Sequence, residues 1–582
     1  MARLTLILGV LATVVYLLDG FRFMLNEWRN WRNKAKWLVA VGVGLCALYQ
    51  VPTMPGATEW PAATCSNGDI TTAIGNAADG DTVTVPSGNC TWTSSVSIQD
   101  TKGITVQGAG AGVTNITLAG FKFLVASSSL RQPLRITGFT LINSTSCAGT
   151  GDSIQMLGTA TDWRIDHNTF DGNTINLCYP IRIGDANENT DNFNYGLIDH
   201  NTFTNANNNA SIFIEWDRGV NDTVLSGDYV WSQPAARGTA QAVYIEDNVF
   251  SGFFTTLNQT IDCRWACKYV LRYNIIHNPW ISTHSGCTNG GRNPVWQEIY
   301  NNTFTDDSHK YTGSQIEMRS TSGVWFGNTF ATTANRYIIT IDHERSYAVT
   351  CTGAYGPRAD GTRAWDQNTV GQSGWRALGQ PGWGPPQASD MSAYTFAGAF
   401  AWDNLNNGSL VDMTIANNNP FTSTHLVFGR DLYNEGNMAS GTLAARPTTC
   451  ANSDLTGRDV YNATDQNAFG VKLYQCSSTD TWTFHYEPYP YPHPLQGSTS
   501  LGSSSPIVIA RVIRWMEVAS VITGLGWHFR RPLLAMCLAG LSVGGTLVQL
   551  APKSYDTVKV VSRDSAVKVL TAFNHLTKPR DR

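Results

Sequence analysis

Short apolar runs broken by polar bends fill the middle of the chain, and one six-residue pattern recurs there. Ile165-Asp-His-Asn168-Thr-Phe170 returns as Ile198-Asp-His-Asn201-Thr-Phe203 and Ile245-Glu-Asp-Asn248-Val-Phe250. Further copies are Leu271-Arg-Tyr-Asn274-Ile-Ile276, Ile299-Tyr-Asn-Asn302-Thr-Phe304 and Trp325-Phe-Gly-Asn328-Thr-Phe330. Ile136-Thr-Gly-Phe139-Thr-Leu141 reads as an early degenerate copy and Ile415-Ala-Asn-Asn418-Asn-Pro-Phe421 as a late one. From Asn168 to Asn328 the asparagines are 33, 47, 26, 28 and 26 residues apart. Ile and Phe bracket a strand, a bend and a second strand, with the amide at the bend. One such unit cannot bury its own apolar face, so copies must stack. The pattern predicts an all-β chain wound as a right-handed parallel β-helix. Variable spacing argues against a propeller, and short alternating runs argue against a helical solenoid.

These Ile-x-x-Asn-x-Phe copies resemble those of the pectate-lyase-like (pectin lyase fold) superfamily of parallel β-helix proteins. The block Ile70–Ile74 with Gly80–Gly88 resembles the first coil of such proteins, and Ile104–Gly110 the second. The resemblance spans about residues 65–440. It implies the β-helix and a carbohydrate-active setting without choosing among lyases, hydrolases, tailspikes and adhesins.

A second strand recurs in each coil: Ile214-Glu215-Trp216-Asp217-Arg218, Ile261-Asp262-Cys263-Arg264, Ile281-Ser-Thr-His284, Ile316-Glu317-Met-Arg319 and Ile341-Asp342-His-Glu344-Arg345. Side chains alternate along a strand. With each Ile inward, one outward column reads Glu215, Asp262, Ser282, Glu317, Asp342. Its neighbour reads Asp217, Arg264, His284, Arg319, Glu344. That register turns Trp216 and Trp265 inward, so Trp216 would meet a sugar only at an edge or bulge. Arg264 and Arg319 can hold a carboxylate or sulfate in a bidentate fork. His284 between them is suited to proton transfer. Asp262 and Glu317 offer the oxygen ligands that Ca2+ favours, although nothing fixes a metal. The competing reading is a compensated charge ladder that keeps a flat sheet soluble. His167 and His200 share a bend position and read as stacked turn residues.

Composition narrows the classes. Only 14% of residues are charged, against ~25% in ordinary chains. Net charge is -4, with 53 Gly and 44 Asn. A coiled coil, a disordered chain and a nucleic-acid binder are excluded. Gly and Asn accumulate where a chain turns often.

The termini differ from the middle. Leu4–Leu18 and Trp37–Val51 are apolar, with Arg22, Arg29, Arg32, Lys34 and Lys36 between them. Residues 1–55 therefore read as a signal or membrane-anchor region, with Met24 an alternative start. Residues 60–440 are assigned to the β-helix. Residues 441–496, aromatic and proline-rich, would form a segment covering its side or end. Residues 497–506 are a Ser/Gly linker, and 507–582 an apolar helical or transmembrane segment with a basic tail. Ten of the 12 Cys lie between residues 65 and 476. Cys65–Cys90, Cys147–Cys178 and Cys450–Cys476 are plausible disulfides, and Cys263, Cys267, Cys287 and Cys351 could form two more. Disulfides suit an oxidising compartment.

The chain thus reads as a secreted or cell-surface protein, tethered to a membrane, whose partner is a polysaccharide. It would bind the sugar and cleave it by β-elimination or glycoside hydrolysis; a non-catalytic adhesin or tailspike-like binder is the alternative. Arg264, His284 and Arg319 are the candidate catalytic residues. Glu215, Trp216, Asp217, Asp262, Glu317, Asp342 and Glu344 are candidates for substrate contact.

Overall fold

Each copy of the repeat makes one corner of a coil. Thr161–Asp166 runs into the bend, Thr169–Asp171 leaves it, and Ile181–Ile183 makes the third side before Tyr195–Asp199 begins the next coil. Successive coils pair in parallel, building sheets A, B and C of 12, 11 and 10 strands. This is the expected right-handed parallel β-helix, its handedness that of nearly all parallel crossovers. The computed structural model describes residues 57–497 apart from 100–101, 128–132, 145–151, 173–178, 185–193, 205–209, 217–235, 252–258, 265–266, 285–293, 307–313, 320, 333–337, 343–381, 383–395, 416–425 and 454–455, together with 547–550 and 558–561.

Residues 57–501 form one compact unit; 1–56 with 502–582 form another. In the first unit, α1 (Asn67–Asn76) is capped by Ser66, whose hydroxyl accepts the Asp69 N–H at 3.2 Å. It buries Ile70, Ala73 and Ile74 and lies against the first strands of sheets A and C, touching Glu59–Pro61, Thr82–Val85 and Val96–Gln99. In the second unit, Leu547–Leu550 pairs antiparallel with Val558–Val561. The end of the apolar run expected to be helical is therefore strand, in keeping with its β-branched neighbours Val558, Val560 and Val561. Among the described residues no helix is long and apolar enough to cross a membrane. The runs at Leu4–Leu18 and Trp37–Val51 lie outside the described residues.

The interior is built of like-on-like columns. In sheet A, Ile136, Ile165, Ile198, Ile245, Leu271 and Ile299 occupy successive paired positions, all with no exposure. In sheet B, Phe170, Phe203 and Phe250 stack at 4.9 and 4.5 Å, and Phe304 stacks on Phe330 at 4.7 Å. Each buried Phe or Ile is worth ~1.5–3 kcal/mol.

At the A–B corner the asparagines form a continuous amide column. The Asn201 side chain donates to Ile165 O at 2.8 Å, Asp199 O at 3.0 Å and Asn248 Oδ1 at 3.1 Å. Asn248 Oδ1 also accepts the Asn201 N–H at 2.9 Å. The same set repeats through Asn274, Asn302 and Asn328. The residue before each Asn is left-handed: His167, His200, Asp247, Tyr273, Asn301 and Gly327 all have φ between 53° and 63°. The His167 and His200 rings stack at 5.0 Å, each held by Nδ1 to the preceding aspartate. The last rung is a correction. It is Asn404, whose Oδ1 accepts from Asn328 Nδ2 at 2.9 Å. Ile415, taken as the late copy, belongs to sheet C opposite Ile341.

Disulfides join Cys65 to Cys90, Cys263 to Cys267 and Cys450 to Cys476. Cys147, Cys178, Cys287 and Cys351 lie outside the described residues. After a small sheet of Ala439–Gly441, Val460–Ala463, Leu473–Ser478 and Thr481–Tyr486, the chain crosses the outer face of sheet A as a strap. Prolines along it cannot join a ladder, so its carbonyls are taken by side chains instead. Arg272 donates to Tyr489 O at 2.7 Å and Pro490 O at 2.9 Å, and also holds Glu246 at 2.6 Å. Arg164 reaches Leu495 O and Gln496 O, both at 3.3 Å. Tyr486 OH donates to Glu298 at 2.6 Å.

Asn248→Ala should strip partners from the buried Ile198 and Glu246 carbonyls and from the Asn201 amide. A loss of roughly 3–5 kcal/mol is expected from several orphaned groups. Asn248→Asp, which cannot donate, should cost nearly as much, whereas Thr303→Ala on the exposed face should stay within ~0.5 kcal/mol. Denaturant titration of the three variants checks this ordering.

Candidate functional site

Sheet C carries the second recurring strand. Its inward positions are filled by Ile154, Ile181, Ile212, Ile261, Ile281, Ile316 and Ile339 in register. Alternate residues therefore face outward, as the pattern predicts. The offset differs at both ends. Ile212, not Ile214, pairs with Ile261, so Glu215 lies opposite Arg264 and Phe213 opposite Asp262. Ile339, not Ile341, pairs with Ile316, so Asp342 lies opposite Arg319 rather than Glu317. A slip of two residues keeps every side chain on its face, so the outward assignment stands while the columns are reassigned.

The observed first column runs Gln155, Arg182, Phe213, Asp262, Ser282, Glu317, Thr340. The second places Glu215, Arg264 and His284 in order. Arg319 stands two residues after Glu317 in its strand, as His284 does after Ser282, and those two earlier residues pair. His284 and Asp342 have placed backbones, but their side chains lie outside the described residues. Asp217, Glu344 and Trp265 lie wholly outside them. Trp216 is a correction: it is buried with its ring edge-on to Tyr195 at 5.5 Å, so it is a core residue that no sugar can reach.

Each arginine of the predicted site is held by the carboxylate two residues before it. Arg264 Nη2 meets Asp262 at 2.9 Å, and Arg319 Nη2 meets Glu317 at 3.0 Å. Trp280 Nε1 donates to the other Glu317 oxygen at 3.3 Å. Asp262 and Glu317 are thus engaged by guanidinium groups, and no cluster of three His, Cys, Asp or Glu converges among the described residues. The donor set does not fit Ca2+, and no chemistry is assigned to a metal.

The sequence pattern missed the upstream part of this face. Arg182 Nη2 donates to Glu215 Oε2 at 2.9 Å, and its Nη1 lies 3.9 Å from Asp152. Lys122 meets Asp152 at 3.1 Å and donates to Gln155 Oε1 at 2.6 Å. Tyr179 and Phe213 stack at 4.4 Å. The Arg182 and Arg264 guanidinium carbons lie 5.7 and 4.9 Å from the Phe213 ring centre. Ile181-Arg182-Ile183, with the same inward-outward alternation, was the available signal; it lacks the acidic residue that marked the later copies.

Glu215 and Asp262 are the most confined carboxyls of the group, each 1% exposed. In Glu215 the confinement shifts the titration. Burial raises its pKa to about 7 against the pull of Arg182 and Arg264, with Asp262 adding to the rise. Burial likewise raises Asp152 against Lys122 and Arg182. A carboxyl that titrates near neutrality beside two guanidinium groups can give or take a proton at working pH.

No family model matches the chain, and no curated protein matches it. Among solved structures, it is similar to an alginate lyase from Paenibacillus sp. str. FPU-7 at 11% identity, covering 62% of this chain and 98% of that one, with a TM-score of 0.36. A mannuronic acid specific polysaccharide family 6 lyase from human gut microbiota is similar at 14% identity, covering 66% and 81%, with a TM-score of 0.32. The catalytic domain of a GH87 alpha-1,3-glucanase in complex with nigerose is similar at 12% identity, covering 66% and 68%, with a TM-score of 0.20. No residue role in this chain follows from them.

A folded-state pKa above the free value means that the folded protein holds the Glu215 proton more tightly than the unfolded chain. Stability contributed by the neutral form is then lost as pH rises from ~4.5 through ~7. Glu215→Gln cannot ionise. Relative to wild type it should gain roughly 3 kcal/mol between those limits, read as the difference in unfolding free energy at a series of pH values. A pH-independent difference would remove the buried-carboxyl account.

Proposed function

We propose that the chain is an exported β-helix protein that binds an extracellular polysaccharide on the outer face of sheet C and cleaves it. The observation that carries this reading is the concentration of charge. In a chain with 14% charged residues, Lys122, Arg182, Arg264 and Arg319 alternate with Asp152, Glu215, Asp262 and Glu317 along this one face. Paired strands lie ~4.8 Å apart, so the face runs for several sugar lengths along the helix axis. Three disulfides are in keeping with export.

Two chemistries fit. In β-elimination, Arg264 or Arg319 would exchange its own carboxylate for that of a uronate and draw off the charge that develops as the C5 proton leaves. His284, in the strand between them, would take that proton; the C4=C5 double bond forms as the C4–O bond breaks, and the departing sugar oxygen takes a proton from water. In hydrolysis, protonated Glu215 would serve as the acid and ionised Asp262, on the next strand, as the base. The second reading, a binder that does not cleave, is favoured by the engagement of both arginines with carboxylates of their own strands.

The full chain should be incubated with a panel of anionic and neutral polysaccharides, following ultraviolet absorbance for an unsaturated product and reducing ends for hydrolysis. Wild type should cleave at least one polymer. If the product is unsaturated, Arg264→Ala should lower the rate roughly 100-fold or more, with His284→Ala sparing binding; if it is hydrolytic, Glu215→Gln should do so. Binding without either product would select the binder; neither binding nor cleavage would overturn both readings.

A further inference from the structure

Two buried histidines mark the strap over sheet A, each 5% exposed: His485, in the last strand of the small sheet where the strap begins, and His493 within it. Their hydrogen bonds leave no acceptor for a second proton on either ring. His493 Nδ1 accepts the Leu495 N–H at 3.2 Å, so that nitrogen holds no proton. His485 Nε2 donates to Ala397 O at 2.8 Å, and its Nδ1 is buried with no partner among the described residues. A second proton on either ring would be buried without an acceptor.

The surroundings are cationic. His493 packs on Tyr244 at 4.6 Å and Tyr489 at 5.4 Å, and Arg272 and Arg164 both act on it. Its backbone N–H bonds Glu246 at 2.7 Å, and Asp247 holds Tyr491 and Gln496 nearby in the strap. His485 lies among Trp296, Phe396 and Phe400, with Arg237 and Arg458 acting on it. Beyond it Glu298 takes the Tyr486 hydroxyl, and Lys268 and Arg237 bear on each other.

We propose that the segment from His485 to Gln496 is an acid-released latch: closed when both histidines are neutral, and expelled from the outer face of sheet A when they gain protons.

The direction follows from which state holds more protons. Burial, with Arg272 and Arg164 adding to it, pushes His493 down to about 3, and burial with Arg237 and Arg458 pushes His485 well below its ordinary value. In the open state both rings return to water and titrate near ~6.5. The open state therefore binds more protons below that pH, and acid favours it. Glu246 and Glu298 pull the other way, because burial raises both. Glu246 is held by Arg272, the His493 amide and Gln496, and Glu298 by Gly238, Trp296 and Tyr486, contacts that work against the burial.

Amide hydrogen exchange on the full chain tests the latch, with rates corrected for their intrinsic pH dependence. Protection across residues 485–497 should fall about tenfold per pH unit for each histidine below ~6.5, so about 100-fold per unit for the pair. The asparagine corners should stay protected throughout, showing that the β-helix is intact. His485→Gln with His493→Gln should make strap protection insensitive to pH. His493→Gln alone should halve the steepness, which keeps the test decisive if the double variant fails to close. Equal strap protection at about pH 7.5 and pH 5 in wild type would overturn the proposal. So would an undiminished fall in the variants, which would assign the response to groups other than these two histidines.

Discussion

A buried amide at one corner of each coil is the interaction on which the rest depends. Where the chain turns from sheet A to sheet B its strand ladder is interrupted, and peptide groups inside the wall would be left without partners. The asparagine supplies both kinds: its NH2 takes carbonyls from its own coil and the preceding one, and its oxygen takes an N–H from the preceding asparagine. Because each amide also bonds the next, the angle of every corner is set by its neighbours. With that angle fixed, Ile falls on Ile and Phe on Phe, and the outward positions of sheet C fall into columns.

Much of this was legible in the sequence because the corner is local. Six residues contain the inward Ile, the left-handed residue, the Asn and the inward Phe. Asn404 escaped because its flanks, Trp402 and Leu405-Asn406, lack the Ile and Phe signature, while Ile415 showed an Ile followed by asparagines without being a corner. On sheet C the alternation fixed which side chains face out, but any Ile two residues along satisfies the same alternation. Ile212 and Ile214 are equivalent to a reader of pattern, and only the pairing of whole coils chooses between them. Trp216 fell into the interior by that same alternation, as its neighbours Ile212 and Ile214 do.

The strap lay beyond local reading. Arg164 and its acceptors at Leu495 and Gln496 are over 300 residues apart, so no window of sequence joins them. This also separates two faces that look alike on paper. Arg135, Asp166, Arg164 and Asp199 on sheet A alternate in sign much as Arg182, Glu215 and Arg264 do on sheet C. On sheet A, Arg164 and Arg272 are spent on the strap, holding the carbonyls of Leu495, Gln496, Tyr489 and Pro490. Removing one member of such a buried pair is costlier than the pair is worth, which makes that face a poor place for exchange with a ligand.

The asparagine corner has a consequence for how the molecule can change. From Thr137 and Thr140 to Trp402 and Leu405, eight successive coils pass from sheet A to sheet B across only two residues. The other two corners vary in length: from sheet C to sheet A, 27 residues separate Glu215 from Val243 and 56 separate Asp342 from Ala399, and from sheet B to sheet C three separate His277 from Ile281 and nine separate Asp306 from Ile316. All variation in coil length is therefore displaced to the two borders of sheet C. Insertions there alter the rim of one face without touching the wall, so new recognition loops can be acquired or grafted coil by coil while the winding stays the same.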